Sequence, residues 1–291
     1  MTIKHMNIFI KVFQLLNITK ASEILYMSQP AVTRAIKEIE QYYNIILFDR
    51  INHRIYPTEA GKNFYEYALH IVDSFNEMEK SIQDIDEFGL IRIGATIAIG
   101  NTILPKVLAI INSKYDKLKY KTIISNADAI EKAIINNQLD FGIIEGEVID
   151  PQLKKLKIYE DHLIPILPPN SEFADRRISF KEVANVPLLL REKGSVGRSL
   201  IESNYNIHNQ ILNAVMESES TQAIINSIHE GIGISYLPEA MVKKYLDSKF
   251  VSTCEIKDMT LKRNNYLVWH KHKYISKTTK QIMNLFIQDV K

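Results

Sequence analysis

One cysteine, Cys254, in 291 residues leaves no intrachain disulfide and no thiolate metal cluster, which fits a reducing compartment. No run approaches the roughly 18 uninterrupted apolar residues of a membrane span. Residues 1–16 carry Lys4, His5 and Lys11 without a small-residue cleavage site. Nothing there exports or anchors the chain, and a cytoplasmic location is expected. Chemical motifs are equally scarce. Gly231-Ile232-Gly233 lacks the third glycine and following acid of a dinucleotide loop, and no Gly-Lys-Thr/Ser phosphate cradle occurs. His270-Lys271-His272 puts two imidazoles on one strand face, with no Cys or carboxylate nearby to complete a zinc site. Glu145 and Glu219 are the carboxylates placed for acid-base work, and ligand contact or solvation is the more economical reading of both. The expectation is therefore no enzyme: no catalytic residue, no metal and no cofactor.

What is present is an ordinary globular balance, 46% hydrophobic and 24% charged, in a length that suits two or three folding units. The net charge of +2 is unevenly spread: residues 1–58 carry +3, residues 59–88 carry −6 and the remainder +5. A small basic module suggests a polyanionic partner.

Within that module Ile8, Phe9, Val12, Phe13 and Leu16 recur at helical spacing. Thr19 can cap a second helix over 20–25. Ser28-Gln29-Pro30 then supplies an N-cap hydroxyl and a first-turn proline, so a third helix starts near Gln29. Its inward face is Val32, Ile36 and Ile39, which leaves Gln29, Thr33, Arg34 and Lys37 outside. Two short helices joined by a tight turn, the second displaying Gln, Thr and Arg, match a helix-turn-helix that reads the major groove of DNA. Gln pairs with adenine, Arg with guanine, and Thr touches a base or the thymine methyl. Residues 50–56 read as a hairpin around Asn52-His53, a wing whose Arg50 and Arg54 reach phosphates. The DNA-binding set is Ser28, Gln29, Pro30, Thr33, Arg34, Lys37, Arg50, His53 and Arg54. The alternative is a solvated polar face on a small helical domain.

The run from Thr19 through Ala21-Ser22, Ser28-Gln29-Pro30-Ala31-Val32-Thr33-Arg34 and Glu40, then Leu47-Phe48-Asp49-Arg50 and Pro57-Thr58-Glu59-Ala60-Gly61, resembles the N-terminal signature of the LysR-type transcriptional regulators. Two positions depart from it. Asn44 stands where the family usually has glycine, and asparagine tolerates the left-handed backbone such a turn needs. Ser22 replaces one residue of the usual Ala-Ala pair.

From Thr58, a good N-cap, helical residues continue to about residue 87, a rod of roughly 45 Å at 1.5 Å per residue. Phe64, Ala68, Ile71, Phe75, Met78, Ile82 and Ile85 alternate steps of four and three, the seam of a coiled coil that joins two copies. Tyr65, Leu69 and Val72 form a second apolar line that can pack on the first module.

After Gly89 short apolar strands alternate with helices, the pattern of a parallel α/β sheet. Strands are expected at 91–95, 120–125, 141–145, 163–167, 187–191, 212–216, 233–237 and 266–270. Helices are expected at 104–115, 128–136, 196–205, 221–229 and 277–289. Ligands of such sheets bind beyond the strands' carboxyl ends, where helix N-termini present free N–H groups. The richest of these loops is Arg191-Glu192-Lys193-Gly194-Ser195-Val196-Gly197-Arg198, where glycine, serine and cations suit an anion, although an ordinary capped turn would look alike.

The resemblance implies the rest: an α/β protein with an all-α N-terminal part, built as a winged helix-turn-helix (1–58), a coiled-coil linker helix for dimerisation (59–88) and a two-lobed periplasmic-binding-protein-like effector domain (89–291). Lobe I is 89–162 with 266–291, and lobe II is 163–265, with crossovers near 161–165 and 262–265. Ile99-Gly100, Leu104-Pro105, Ile144-Glu145-Gly146 and the glycine loop resemble the branch governing sulfur assimilation and carbon fixation. Ile97, Ala98, Ala127 and the Val196-Gly197 pair replace side chains usual in that branch, so several of its donors are missing. The effector-binding set is Thr96, Ile99, Gly100, Asn101, Asn126, Glu145, Lys193, Gly194, Ser195, Arg198, Ser220 and Thr221. The implied function is sequence-specific transcription regulation through an operator, by a homodimer or a tetramer built as a dimer of dimers, with a small, anionic metabolite as effector and RNA polymerase as a further partner. The alternative is a solute-binding protein or an enzyme using the same two-lobed cleft.

Overall fold

A computed structural model describes residues 1–51, 54–83 and 89–288, with the side chains of 77 and 80–83 set aside. The chain divides into two compact units, Met1–Gly89 with His272–Ser276, and Leu90–Lys271 with Lys277–Lys291. No helix among the described residues is long and apolar enough to cross a membrane.

The first unit opens with α1 (Ile3–Leu15), α2 (Ile18–Ile24) and α3 (Gln29–Tyr43). Asn17, and not Thr19, caps α2: its Oδ1 accepts from Lys20 N at 3.0 Å, while the Thr19 carbonyl takes the Ser22 hydroxyl at 2.7 Å. That bond also satisfies the extra hydroxyl that Ser22 brings to a tight helix contact. Ser28 caps α3 through Ala31 N at 3.4 Å, and Asn44 ends it with φ 53°, the left-handed conformation that asparagine tolerates. Leu16, expected on the buried stripe of α1, instead forms its left-handed C-cap and is 45% exposed. Strands β1 (Phe48–Ile51) and β2 (Arg54–Pro57) pair antiparallel. Asn52 and His53 lie outside the described residues. Helix α4 (Glu59–Gln83) begins at Thr58, whose Oγ1 accepts from Gly61 N at 3.0 Å. Gly61 is required here because a Cβ would sit 2.2 Å from the Leu47 carbonyl oxygen.

The core of this unit is Phe9, Val12, Ala21, Val32, Ile36, Ile39 and Leu47. Phe64 meets Phe9 edge-on at 4.8 Å, Ala68 is 1% exposed in the same core, and Tyr65 stacks on Phe13 at 4.1 Å. The first two seam positions are thus covered by the chain's own α1, because the start of α4 is the lid of this small core. Ile71 and Met78 are 43% and 46% exposed, and Phe75 is half-buried. Nothing is described of the Ile82 side chain or of Ile85.

The second unit runs β3 (Leu90–Thr96), α5 (Ile97–Thr102), α6 (Leu104–Lys114), β4 (Lys119–Ser125), α7 (Ala127–Ile135), β5 (Phe141–Glu145) and β6 (Leu153–Ile166). It continues through β7 (Arg177–Ile178), α8 (Phe180–Val183), β8 (Leu188–Arg191), α9 (Val196–Ile207), β9 (Ala214–Ser218), α10 (Thr221–His229), β10 (Ser235–Pro238), α11 (Glu239–Asp247), β11 (Glu255–Ile256), β12 (Lys262–His270) and α12 (Lys277–Gln288). The main sheet has the order β10-β6-β12-β5-β3-β4 and is mixed, not wholly parallel as expected. Strands β3, β4 and β5 run parallel, and β12 lies antiparallel to both β5 and β6. The alternation in 153–162 is masked by charge, so β6 was legible only from 163. It serves both lobes: Leu153 to His162 pair with β12, and Leu163 to Ile166 with β10. The expected crossovers are therefore neighbouring strands, joined from Lys262↔His162 to Asn265↔Tyr159.

In the first unit His70 on α4 is 4% exposed, and burial, reinforced by the charges of Lys273 and His272, lowers its pKa to about 4. A folded pKa below the unfolded value of about 6.5 makes the folded state the poorer proton acceptor, so His70's contribution is complete above pH 6.5 and is lost as pH falls toward 4. Urea unfolding between pH 7 and pH 5 should lose about 2 kcal/mol from this group. His70→Gln should flatten that slope, whatever its effect at pH 7.

Candidate functional site

Helix α3 holds its place through Val32, Ala35, Ile36 and Ile39, which leaves Gln29, Thr33, Arg34 and Lys37 outside that apolar face. Gln29, Pro30, Arg34 and Lys37 are exposed and Thr33 is half-buried, while the Ser28 hydroxyl is committed to its cap. Arg34 Nε donates to Glu38 Oε1 at 2.8 Å one turn on, and Glu38 Oε2 meets His5 Nε2 at 2.9 Å. His5 first, then Arg34, holds the Glu38 carboxyl below its usual range. The pair extends the arginine along the helix with 82% of its side chain exposed. Arg50 and Arg54 are exposed on β1 and β2. The described part is a polar, cationic face built on an apolar one, suited to a nucleic acid groove.

In the second unit a cleft of about 40 Å³, room for a few water molecules, lies between the carboxyl ends of lobe I's strands and the glycine loop. Thr96, Asn126, Glu145, Gly194, Ser195 and Arg198 line it, as do the apolar Ile97, Ala98 and Ala127. Gly194 turns the loop at φ +89°, which a side chain would strain. Ser195 is the N-cap residue of α9 without a side-chain cap bond. The free N–H groups of that helix therefore open on the cleft, as does the dipole. Opposite, Thr96 is 4% exposed and its Oγ1 has no protein partner. A buried hydroxyl left unpaired costs free energy unless something else binds it.

The loop's two arginines are internally matched, against expectation. Arg198 donates to Glu202 at 2.7 Å, to Glu217 at 2.6 Å and to the Arg191 carbonyl at 3.0 Å. Arg191 is bidentate on Glu192, at 2.8 and 2.9 Å, and reaches Thr221 Oγ1 at 3.2 Å. Lys193 is exposed and outside the lining, while Asn126 Oδ1 caps α7 through Ala129 N at 2.9 Å. Ile99 and Gly100 are packed inside lobe I, with Gly100 close against Ile124. Asn101, Ser220 and Thr221 line a different groove, beside Glu219.

Arg263 on β12 stands at the cleft without belonging to the residues expected there. It lies in the cleft floor with 4% of its side chain exposed, donating to Asp161 through Nε and Nη2 at 2.7 Å each and to Glu145 Oε2 at 2.5 Å. Glu145 Oε1 accepts from Ala98 N at 3.1 Å, so this carboxylate is structural and not a free acid or base. Burial, then Asp161 and Glu145, raises the pKa of Tyr159 beside them. Cys254 is likewise unsuited to nucleophilic work, its thiol pushed up to about 11 by burial. Arg263→Met should cost about 3–5 kcal/mol in denaturant unfolding of the effector domain, because two carboxylates lose their buried partner. A loss below about 1 kcal/mol would mean that water already solvates them.

The comparisons bear on both surfaces. Residues 3–62 match the family described as bacterial regulatory helix-turn-helix protein, lysR family, and residues 86–291 match the LysR substrate binding domain. The uncharacterized HTH-type transcriptional regulator YeiE of Escherichia coli K12 is 28% identical over 283 residues, covering 97% of this chain and 96% of that protein. A probable RuBisCO transcriptional regulator of Phaeodactylum tricornutum is 29% identical over 271 residues, 90% of this chain and 88% of its own. Among solved structures, H2O2-bound mutant OxyR of Corynebacterium glutamicum superposes with TM-score 0.65 at 17% identity, covering 99% of this chain and 92% of that one. The regulatory domain of Synechocystis PCC6803 CcmR in complex with 2-PG gives 0.64 at 20% identity, over 70% of this chain and 98% of that one. With both parts matched in order, the chain belongs to the LysR family and is a transcriptional regulator with a helix-turn-helix and an effector-binding domain.

Proposed function

We propose that Gln29, Thr33 and Arg34 read base edges of an operator while Lys37, Arg50, His53 and Arg54 hold phosphates. The observation that carries this is the solvent-facing side of α3: its cationic residues contribute nothing to the core, and Arg34 is already extended by Glu38. The regulator works as a cytoplasmic homodimer, joined through the open stripe of Ile71, Phe75 and Met78, and as a tetramer of two such dimers that can meet RNA polymerase. Arg34→Ala should cost about 1–3 kcal/mol on the selected operator and relax preference at one base pair. Arg54→Ala should weaken all duplexes alike and flatten the salt dependence by about one unit. Footprinting with salt titration separates them, and unchanged operator binding by Arg34→Ala removes that residue from the reading surface.

The effector in this reading is a small organic acid needing no cofactor. Its acidic group sits on the N–H groups at the start of α9 and on Thr96 Oγ1, with Ile97, Ala98 and Ala127 against its apolar part. The orphan hydroxyl supports this site, and the 2-PG held by the CcmR domain is in keeping with a small acid. A cavity of about 40 Å³ is too small for most metabolites, so binding draws on a more open arrangement of the lobes. Thr96→Val tests it: removing an unpaired buried hydroxyl should leave the free protein at least as stable. The thermal shift given by small carboxylates and phosphates should shrink about tenfold in concentration dependence. Stabilisation by neutral or cationic compounds alone would place the effector elsewhere.

A further inference from the structure

Tyr26 stands in the turn between α2 and α3 with φ 51° and 97% of its surface exposed. The turn is a complete helix C-cap: Tyr26 N donates to the Glu23 carbonyl at 3.2 Å and Met27 N to the Ser22 carbonyl at 2.9 Å. That hydrogen-bond pair places residue 26 where helices ordinarily carry glycine or asparagine, because a Cβ in the left-handed region is penalised. Tyrosine there is costly to folding through its backbone, and its ring, left in water, returns nothing by burial. No side-chain hydrogen bond or ring contact of Tyr26 offsets this among the described residues. Backbone strain of this kind concentrates where a side chain has work to do outside the fold.

The neighbours say what that work is. Tyr26 precedes the α3 cap Ser28 by two residues and Gln29 by three. Three residues of chain span at most about 11 Å, close to the roughly 12 Å width of the major groove. A residue so near the end of α3 that enters the groove lies over the phosphate strand bounding it. We propose that Tyr26 is a further DNA contact, its phenol O–H donating to a backbone phosphate beside the groove that α3 enters. Such a contact fixes register and orientation without reading sequence. Being neutral, it displaces no counterion.

Full-length variants are measured on a duplex selected from random sequence by the wild-type protein and on an unrelated duplex, with Arg34→Ala as control. Tyr26→Phe should weaken binding about twofold to tenfold on both duplexes, the range for one neutral hydrogen bond, with an unchanged salt slope. Tyr26→Gly should weaken it at least as much while its Tm stays level or rises, since glycine suits φ 51°. Arg34→Ala, in contrast, should lose affinity on the selected duplex. Wild-type affinity in Tyr26→Phe overturns the hydroxyl contact even if the glycine variant binds poorly. A Tm lowered by several degrees in Tyr26→Gly makes the ring structural and overturns the proposal. So does a changed solution mass with DNA affinity intact, which would assign the ring to a protein contact. If Arg34→Ala alone loses affinity, the recognition helix stands and only the Tyr26 contact fails.

Discussion

The buried bond set of Arg263 is what the second unit is built around. One guanidinium on β12 binds Asp161 of β6 with two parallel bonds and Glu145 of β5 with a third, and Glu145 in turn holds the backbone N–H of Ala98 where α5 begins. Taking three charges out of water costs several kcal/mol per ion, which the bidentate pairing with Asp161 and the further bond to Glu145 offset. Its consequence is mechanical. Both crossover strands and the first loop of the cleft are fixed to one another, so lobe movement has to occur on either side of this block.

Local order was legible because it is written at short range. Ser28 as a cap, Asn44 in a left-handed turn and helix α10 at 221–229 each depend on side chains three or four residues apart. Thr19 failed for the same reason: Asn17 offers the same chemistry two residues earlier, and only the helix start decides between them. The first two seam positions of α4, Phe64 and Ala68, are covered by the chain's own core for a different reason. Periodicity says that Phe64 and Ala68 share an apolar face, but not that Phe9 covers it. Long-range charge pairing was the least accessible. Arg198 reads as a free cation until Glu217, 19 residues on, is placed against it. Arg263 reads as a polar strand residue until Asp161, 102 positions earlier, is set beside it.

That pairing changes what the cleft can attract. The guanidinium groups of Arg191, Arg198 and Arg263 are each paired with carboxylates, Glu192 for the first, Glu202 and Glu217 for the second, Glu145 and Asp161 for the third, so none stands as a free cation in the cleft. A multiply charged anion gains little from such a surround. What remains favourable to an acid is directional: the unbonded N–H groups of α9 and one orphan hydroxyl, which reward a correctly placed oxygen more than net charge. On the wall formed by Ile97, Ala98 and Ala127 no side chain offers a hydrogen bond, so that side of the cleft gives apolar contact alone.

Helix α4 carries two obligations, one after the other along a single apolar face. Phe64, Tyr65 and Ala68 lock its first turns onto α1, and α1 in turn packs on α3. The stripe of Ile71, Phe75 and Met78 begins within the next turn of the same rigid rod. A second copy seated on that stripe therefore has its recognition helix placed by a continuous chain of packed side chains, not by a flexible joint. In the proposed dimer, half-site spacing on DNA would follow from such a geometry, because each α3 would enter successive major-groove faces roughly 34 Å apart. A small rotation of one rod against the other would change that distance at both ends at once, so control of DNA affinity needs only a change in how two rods cross, with each module left intact.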